Sequence, residues 1–246
     1  MDGATERARR LGRLLEGISD PAMRVPYVGA IFREMTAVEI ADILTVAIHG
    51  AEAREGAAGA LLLAACLALA SEEARDLRES VAHAAVARGQ HQTALLLSPR
   101  PPLRQVETLD VPDFGKGRPL TLGERKSLAR RRDRDLLARV LLDPDPGVIK
   151  ILLDNPALTE EDVMRLCSRR PIAADVLREV FRHTRWIVRY RIRLSIVRNP
   201  FTPVDVALQL AAHLNATDAR EVVEAAELAP VVREAAQRVA GIQTLH

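Results

Sequence analysis

Apolar residues along this chain recur at intervals of three and four, and the runs that carry this spacing are separated by Pro, Gly or Asn-Pro. From Thr5 to about Gly17, Leu11, Leu14 and Leu15 mark one face of a first helix, ended by Gly17 and Asp20-Pro21. Pro26 opens a second, with Tyr27, Ala30 and Ile31 near one face. Thr36 with Glu39 forms a capping box, in which hydroxyl and carboxylate satisfy the free amides of a helix start. A third helix therefore runs from there through Ile40, Ile43, Leu44 and Ile48 to a stop at Gly50. Residues 52–70 are apolar on nearly every side, which predicts a helix covered by several neighbours. Its apolar run from Ala57 to Ala70 has 14 residues, short of the roughly 20 that cross a bilayer, so we read it as the core of an N-terminal domain. Ser71 with Glu72 and Glu73 starts the next helix, through Leu77, Val81 and Val86, and a short segment from Thr93 to Leu97 follows the break at Gly89.

The periodicity lapses over residues 98–121, where Pro99, Pro101, Pro102, Pro112 and Pro119 make an extended, semi-rigid linker. Val106, Leu109, Val111 and Phe114 give it apolar points to dock on a neighbour. From the capping box Thr121/Glu124 onward, helices are expected over 122–131, 133–142, 147–153, 160–168, 172–183, 185–197, 203–213, 218–226 and 230–240. Their separators are Asp143-Pro144-Asp145-Pro146, Asn155-Pro156, Arg170-Pro171, Asn199-Pro200 and Ala229-Pro230. Pro cannot continue a helix interior but suits its first turn, so these short helices have to stack to bury their faces. Asn155-Pro156 and Asn199-Pro200 lie 44 residues apart, each after an apolar run and each before a Thr with an acid three residues on, Thr159/Asp162 and Thr202/Asp205. A period near 40–47 belongs to two- and three-helix repeats. Residues 189–194 alternate as a strand would, but they hold the repeat position of the run before Asn155, which places them in the helix 185–197.

Through these Asn-Pro turns the 122–246 part resembles the HEAT-like and armadillo-like α-solenoids, and more loosely the bacterial helical-repeat proteins of the leucine-rich-repeat-variant type. The resemblance implies a HEAT-like helical-repeat domain over 122–246; with the periodicity and prolines before it, the expectation is an all-α chain of a helical N-terminal domain (1–97), a Pro-rich linker (98–121) and that repeat domain. It also implies an interaction scaffold or adaptor. A minority of HEAT-like proteins are DNA-repair glycosylases that use a basic concave surface with Trp and Tyr, so a nucleic-acid-binding or glycosylase-like protein is the alternative, although no glycosylase motif matches residue by residue.

Composition agrees with helix: 48% of residues are hydrophobic and only 3% aromatic. The 35 basic and 33 acidic residues leave +2 overall, so charge has meaning only by region. Residues 165–198 hold ten Arg against Asp175 and Glu179, and residues 199–246 swing to −3. Within the basic stretch, Arg182, Arg185, Trp186, Arg189, Tyr190 and Arg193 interleave guanidinium forks with aromatic rings. Such forks grip carboxylates or phosphates with two hydrogen bonds, and rings add stacking. These six residues are the candidate binding stripe, with an acidic protein surface as the expected partner and nucleic acid second. The competing reading is a solvated ridge that pairs with neighbouring acids while the rings fill the core.

Catalytic, cofactor and metal sites are not expected. His49, His83, His91, His183, His213 and His246 have no ligand-like spacing. Gly115-Lys116-Gly117 lacks the rest of a phosphate loop, and Glu160-Glu161-Asp162 suits a helix N-terminus. Cys66 and Cys167 lie in apolar helical settings, which predicts buried free thiols in a reducing compartment, the cytoplasm. Arg7, Arg9, Arg10 and Arg13 are followed by no apolar leader segment.

Overall fold

The structure, a computed structural model, describes residues 2–115 and 117–241, so Lys116 and His246 lie outside it. It contains sixteen helices and, among the described residues, no strand. In chain order they are α1 (Asp2–Glu16), α2 (Pro21–Arg33), α3 (Ala37–Glu52), α4 (Gly56–Leu69), α5 (Arg75–Ala87), α6 (His91–Leu97), α7 (Leu122–Leu128) and α8 (Arg134–Val140). Then follow α9 (Pro146–Leu153), α10 (Glu160–Ser168), α11 (Ala174–Arg182), α12 (Thr184–Ile187), α13 (Tyr190–Val197), α14 (Val204–Ala211), α15 (Ala216–Glu224) and α16 (Pro230–Ala240). Two compact units result, Met1–Arg100 with Val204–His246, and Pro101–Pro203.

The first unit is built round α4, which packs against α1, α2 and α3 as its all-round apolar sequence requires. Two local expectations are corrected here. Asp20-Pro21 does not only end α1; Asp20 Oδ1 accepts the Ala22 amide (2.9 Å) and Pro21 takes the first helical position, so the pair opens α2 and leaves Pro26 inside it. Gly50 does not stop α3, which runs on to Glu52. Its role is clearance, because a Cβ there would lie 2.5 Å from the Ala58 Cβ on α4.

Helix α14 corrects the expected extent of the repeat domain, 122–246. All eight of its residues are buried, and it packs on α4, α6 and α16, all in the first unit. Gln209 Nε2 donates to Leu96 O (2.6 Å), and the Arg100 amide donates to Asp205 Oδ1 (3.2 Å). A helix buried all round needs neighbours on several sides, which the end of a helix stack does not offer and the α4 core does. The second unit is thus an insertion between Arg100 and Val204, whose backbones bond to one another (3.3 Å).

The described residues of 98–121 form no helix, and from Pro101 they belong to the second unit. Phe114 is buried, and the Arg104 amide donates to Pro200 O (3.0 Å), so this stretch is docked. In that unit α9 packs on α7 and α11, and α10 packs on α13. Successive turns are tied along two edges. On one edge, Asn155 Nδ2 donates to Ala129 O and Arg131 O (both 2.8 Å), while Arg134 donates to Ala157 O (3.0 Å). On the other, Asn199 Nδ2 donates to Cys167 O (2.7 Å) and Arg169 O (2.9 Å), and Arg169 Nη1 to Leu141 O (3.1 Å).

The echoed Asn residues therefore perform the same task. Each satisfies the orphan carbonyls at the C-terminus of a parallel neighbouring helix, α7 or α10, while its Oδ1 closes a turn onto the amide of Ala157 or Phe201. They are not related by a simple repeat, however. From α9 to α13 the chain crosses an odd number of full helices, so Asn155 and Asn199 sit on opposite edges. The 44-residue spacing repeats a capping chemistry and changes edge.

Candidate functional site

The helix expected over 185–197 is two helices. The single turn α12 and the helix α13 are separated at Val188 and Arg189, with Arg189 in extended conformation (φ −81°, ψ 123°). The break is held by side chains. Trp186 is buried and its Nε1 donates to Leu153 O (2.8 Å), while Arg193 Nη1 donates to Val188 O (2.9 Å) and Ile187 O (3.3 Å), the free carbonyls at the end of α12. Arg193 is half-buried, and burial lowers its pKa from the ordinary guanidinium value.

Each member of the candidate stripe has a defined place. Arg182 pairs with Glu179 one turn back (3.1 Å), and Arg189 pairs with Glu160 at the start of α10 (2.6 Å). Tyr190 is half-buried beneath Arg193, whose guanidinium lies 5.8 Å from its ring. Arg185 is exposed and stacks on Trp186 at 4.3 Å, with only long approaches of 3.5 Å to Asn155 O and Leu158 O. The six residues come together in space, yet three of them, Trp186, Tyr190 and Arg193, serve packing and capping, two, Arg182 and Arg189, are held in ion pairs, and Trp186 has no face open for stacking on a base. Arg185 is the member whose charge is turned outward without a carboxylate partner among the described residues.

Arg130-Arg131-Arg132 was missed by the sequence reading. These three exposed residues fill the turn between α7 and α8, which Asn155 bonds through Arg131 O, next to the Asn155 carbonyl that Arg185 approaches. Arg130 leans on Lys126 O (3.1 Å), whereas Arg131 and Arg132 have no carboxylate partner among the described residues. Three consecutive Arg at the junction of two predicted helices, 122–131 and 133–142, were the available signal. One neighbouring carboxylate is already committed: Asp162 receives both Arg134 Nη atoms (2.8 and 2.9 Å) and closes the Thr159 capping box. The Arg134 bonds, with those from Thr159, hold its pKa at about 2. The second unit as a whole carries 21 Lys and Arg against 14 Asp and Glu, a net of +7, and the first carries −5.

Neither thiol is a nucleophile in this structure. Cys66 and Cys167 are free and buried, and burial pushes the Cys66 pKa up to about 12 and that of Cys167 up as well. Among the described residues no three His, Cys, Asp or Glu side chains gather as a metal site requires.

The first unit holds a cavity of about 810 Å³ between α1, α3, α4 and the turn before α6. Small side chains leave the space open: Ala4 and Ala8 on α1, Ala47 on α3, Ala57 and Ala58 on α4. Polar groups converge at its rim. Asp42 Oδ1 accepts from Arg88 Nε (2.9 Å) and from Gln90 Nε2 (2.5 Å), and the Thr45 and Thr93 hydroxyls meet at 2.7 Å beside it.

Comparisons of the chain with protein families, with curated proteins and with solved structures gave no match.

Proposed function

We propose that this chain is a non-enzymatic interaction scaffold or adaptor whose second unit acts as a short HEAT-like α-solenoid and receives an acidic protein surface. The observation that carries this reading is the cluster of unneutralised arginines at one edge, Arg131, Arg132 and Arg185, set on turns tied by Asn155. Stacking on Trp186 restricts the Arg185 fork in advance, which lowers the ordering cost of gripping a carboxylate. A net of +7 on that unit favours encounter with an acidic partner. Two buried free thiols support a reducing compartment, hence the cytoplasm.

The test titrates the full chain with polyglutamate and with a DNA duplex over a range of salt. The expected result is saturable polyglutamate binding that weakens about tenfold or more when Arg131, Arg132 and Arg185 are replaced together by Gln, with thermal stability unchanged. Preferential duplex binding, with log affinity falling by about 0.9 per phosphate contact against log salt, would transfer the reading to nucleic acid. Binding of neither polymer would overturn it.

A further inference from the structure

The geometry points to a second site, in the first unit: we infer that the cavity between α1, α3 and α4 binds an uncharged, hydrocarbon-rich small molecule. Its volume of about 810 Å³ falls within the range of small-ligand pockets. Protein interiors hold few voids larger than a water molecule, and the walls of this one are fixed. A Cβ on Gly12 would lie 2.7 Å from Ala57 O, so α1 meets α4 there, and the Arg7–Glu39 ion pair ties the same helix to the start of α3. Ala8, between these two points, and Ala4, one turn earlier, are too short to span the gap, and α1 cannot close it by moving inward.

The polar groups of the lining answer one another. Asp42 Oδ1 accepts from Arg88 Nε (2.9 Å) and Gln90 Nε2 (2.5 Å), while the Thr45 hydroxyl donates to Ala41 O (2.9 Å) and meets that of Thr93 (2.7 Å). The charges also cancel: Arg13 approaches Glu6 (3.3 Å), Arg88 is matched by Asp42, and Arg9 is offset by Glu55 in the same lining. All of these except Asp42 are exposed, so the charge sits at the mouth. An ionised guest would surrender hydration here and meet no surplus counter-charge, whereas an uncharged one surrenders little. What the wall does offer is hydrocarbon. Ala8, Ala47 and Leu61 are buried and Ala4, Val46 and Ala57 half-buried, and covering them removes apolar surface of wall and guest alike from water.

N-phenyl-1-naphthylamine is a suitable probe, since it is uncharged, almost entirely aromatic hydrocarbon, and its emission rises on leaving water. 8-Anilino-1-naphthalenesulfonate has the same rings with a sulfonate added, so the pair isolates the effect of charge. With the full chain the amine is expected to bind saturably at one site per molecule, and the sulfonate at least about tenfold more weakly. Arg9→Gln, at the exposed rim, should leave the amine's affinity within about twofold of the parent. Val46→Trp, which turns an indole from the wall into the cavity, should weaken the amine about tenfold or more, read with the dye excited outside the tryptophan band. Should that variant fail to fold, Ala4→Trp in the first turn of α1 decides, because it replaces no fully buried side chain. The absence of saturable amine binding would overturn the inference. So would sulfonate affinity equal to or above that of the amine, a tenfold loss of amine affinity in Arg9→Gln, or full binding by the folded tryptophan variant. No residue in this test lies in the second unit, so its outcome and that of the polyglutamate titration are read separately.

Discussion

Asn155 and Asn199 show why one residue type was needed twice. Each side chain gives two N–H bonds to carbonyls that no backbone amide reaches and takes one from the turn that follows, and each is nearly fully buried. Replacement by Ala strands two buried carbonyls, so Asn155→Ala or Asn199→Ala should cost about 2–4 kcal/mol in chemical denaturation. The Asp variants are the sharper comparison. A carboxylate can still accept the turn amide but presents oxygen to two carbonyls, so Asn155→Asp should be at least as destabilising as Asn155→Ala. A milder effect for Asp would mean that the turn, and not the carbonyl bridge, is what matters. Asp162 gives a pH prediction. Its pKa lies at about 2 against an ordinary 3.8, so the folded state favours the charged form, and the stability it confers is present above pH about 4 and lost as pH falls towards 2. With Arg134 half exposed, that contribution is about 1–2 kcal/mol after screening. The fall in stability between these pH values should therefore be smaller in Asp162→Asn, measured by denaturant titration at fixed ionic strength. The Thr159/Asp162 box was legible in the sequence because a cap is local. Arg134, which completes it from 28 residues away, was not.

At the scale of the element, glycine separates two kinds of helix position. Gly12 in α1 faces the Ala57 carbonyl so closely that an added methyl has to push backbone aside, whereas at Gly59 in α4 the nearest atom would be His213 Nδ1 at 3.7 Å. Gly12→Ala should thus destabilise by about 1–3 kcal/mol. Gly59→Ala should stabilise by about 0.5–1 kcal/mol, since only the helix-propensity term changes. Thermal melts of the two variants against the parent would check both signs. Most helices were readable from spacing and from Pro or capping boxes, because a helix is a local object whose apolar face repeats. The readings that failed are those where a distant group decided the outcome. The close approach of Ala58 is what requires glycine at 50, inside a helix that continues, and Trp186 and Arg193 broke the expected helix 185–197 by fixing α12 to Leu153 and capping it. The candidate stripe fared in the same way: its clustering was legible, but its division into an outward Arg185 and inward Trp186 and Arg193 depends on backbone carbonyls 5 to 33 residues away.

For the whole molecule, the consequence of the fold is that a continuous chain supplies two separate cores. The sequence placed α14 to α16 at the end of the repeat region because they follow it in order; their apolar faces instead complete the unit of α1 to α6. This arrangement offers a built-in pair of reporters. Trp186 is the chain's sole tryptophan and is buried in the second unit, while about two-thirds of the helical residues lie in the first. During urea unfolding, tryptophan fluorescence therefore follows the inserted unit, and far-ultraviolet circular dichroism is weighted towards the other. Asn199→Ala should lower the fluorescence midpoint and leave the main dichroism transition in place, because the carbonyls it strands belong to the second unit's α10 and the turn after it. Gly12→Ala should do the reverse, since its clash lies between α1 and α4. If each substitution instead moves both signals by the same amount, the two cores unfold as one cooperative block, and the inserted unit has no stability of its own to present an arginine edge.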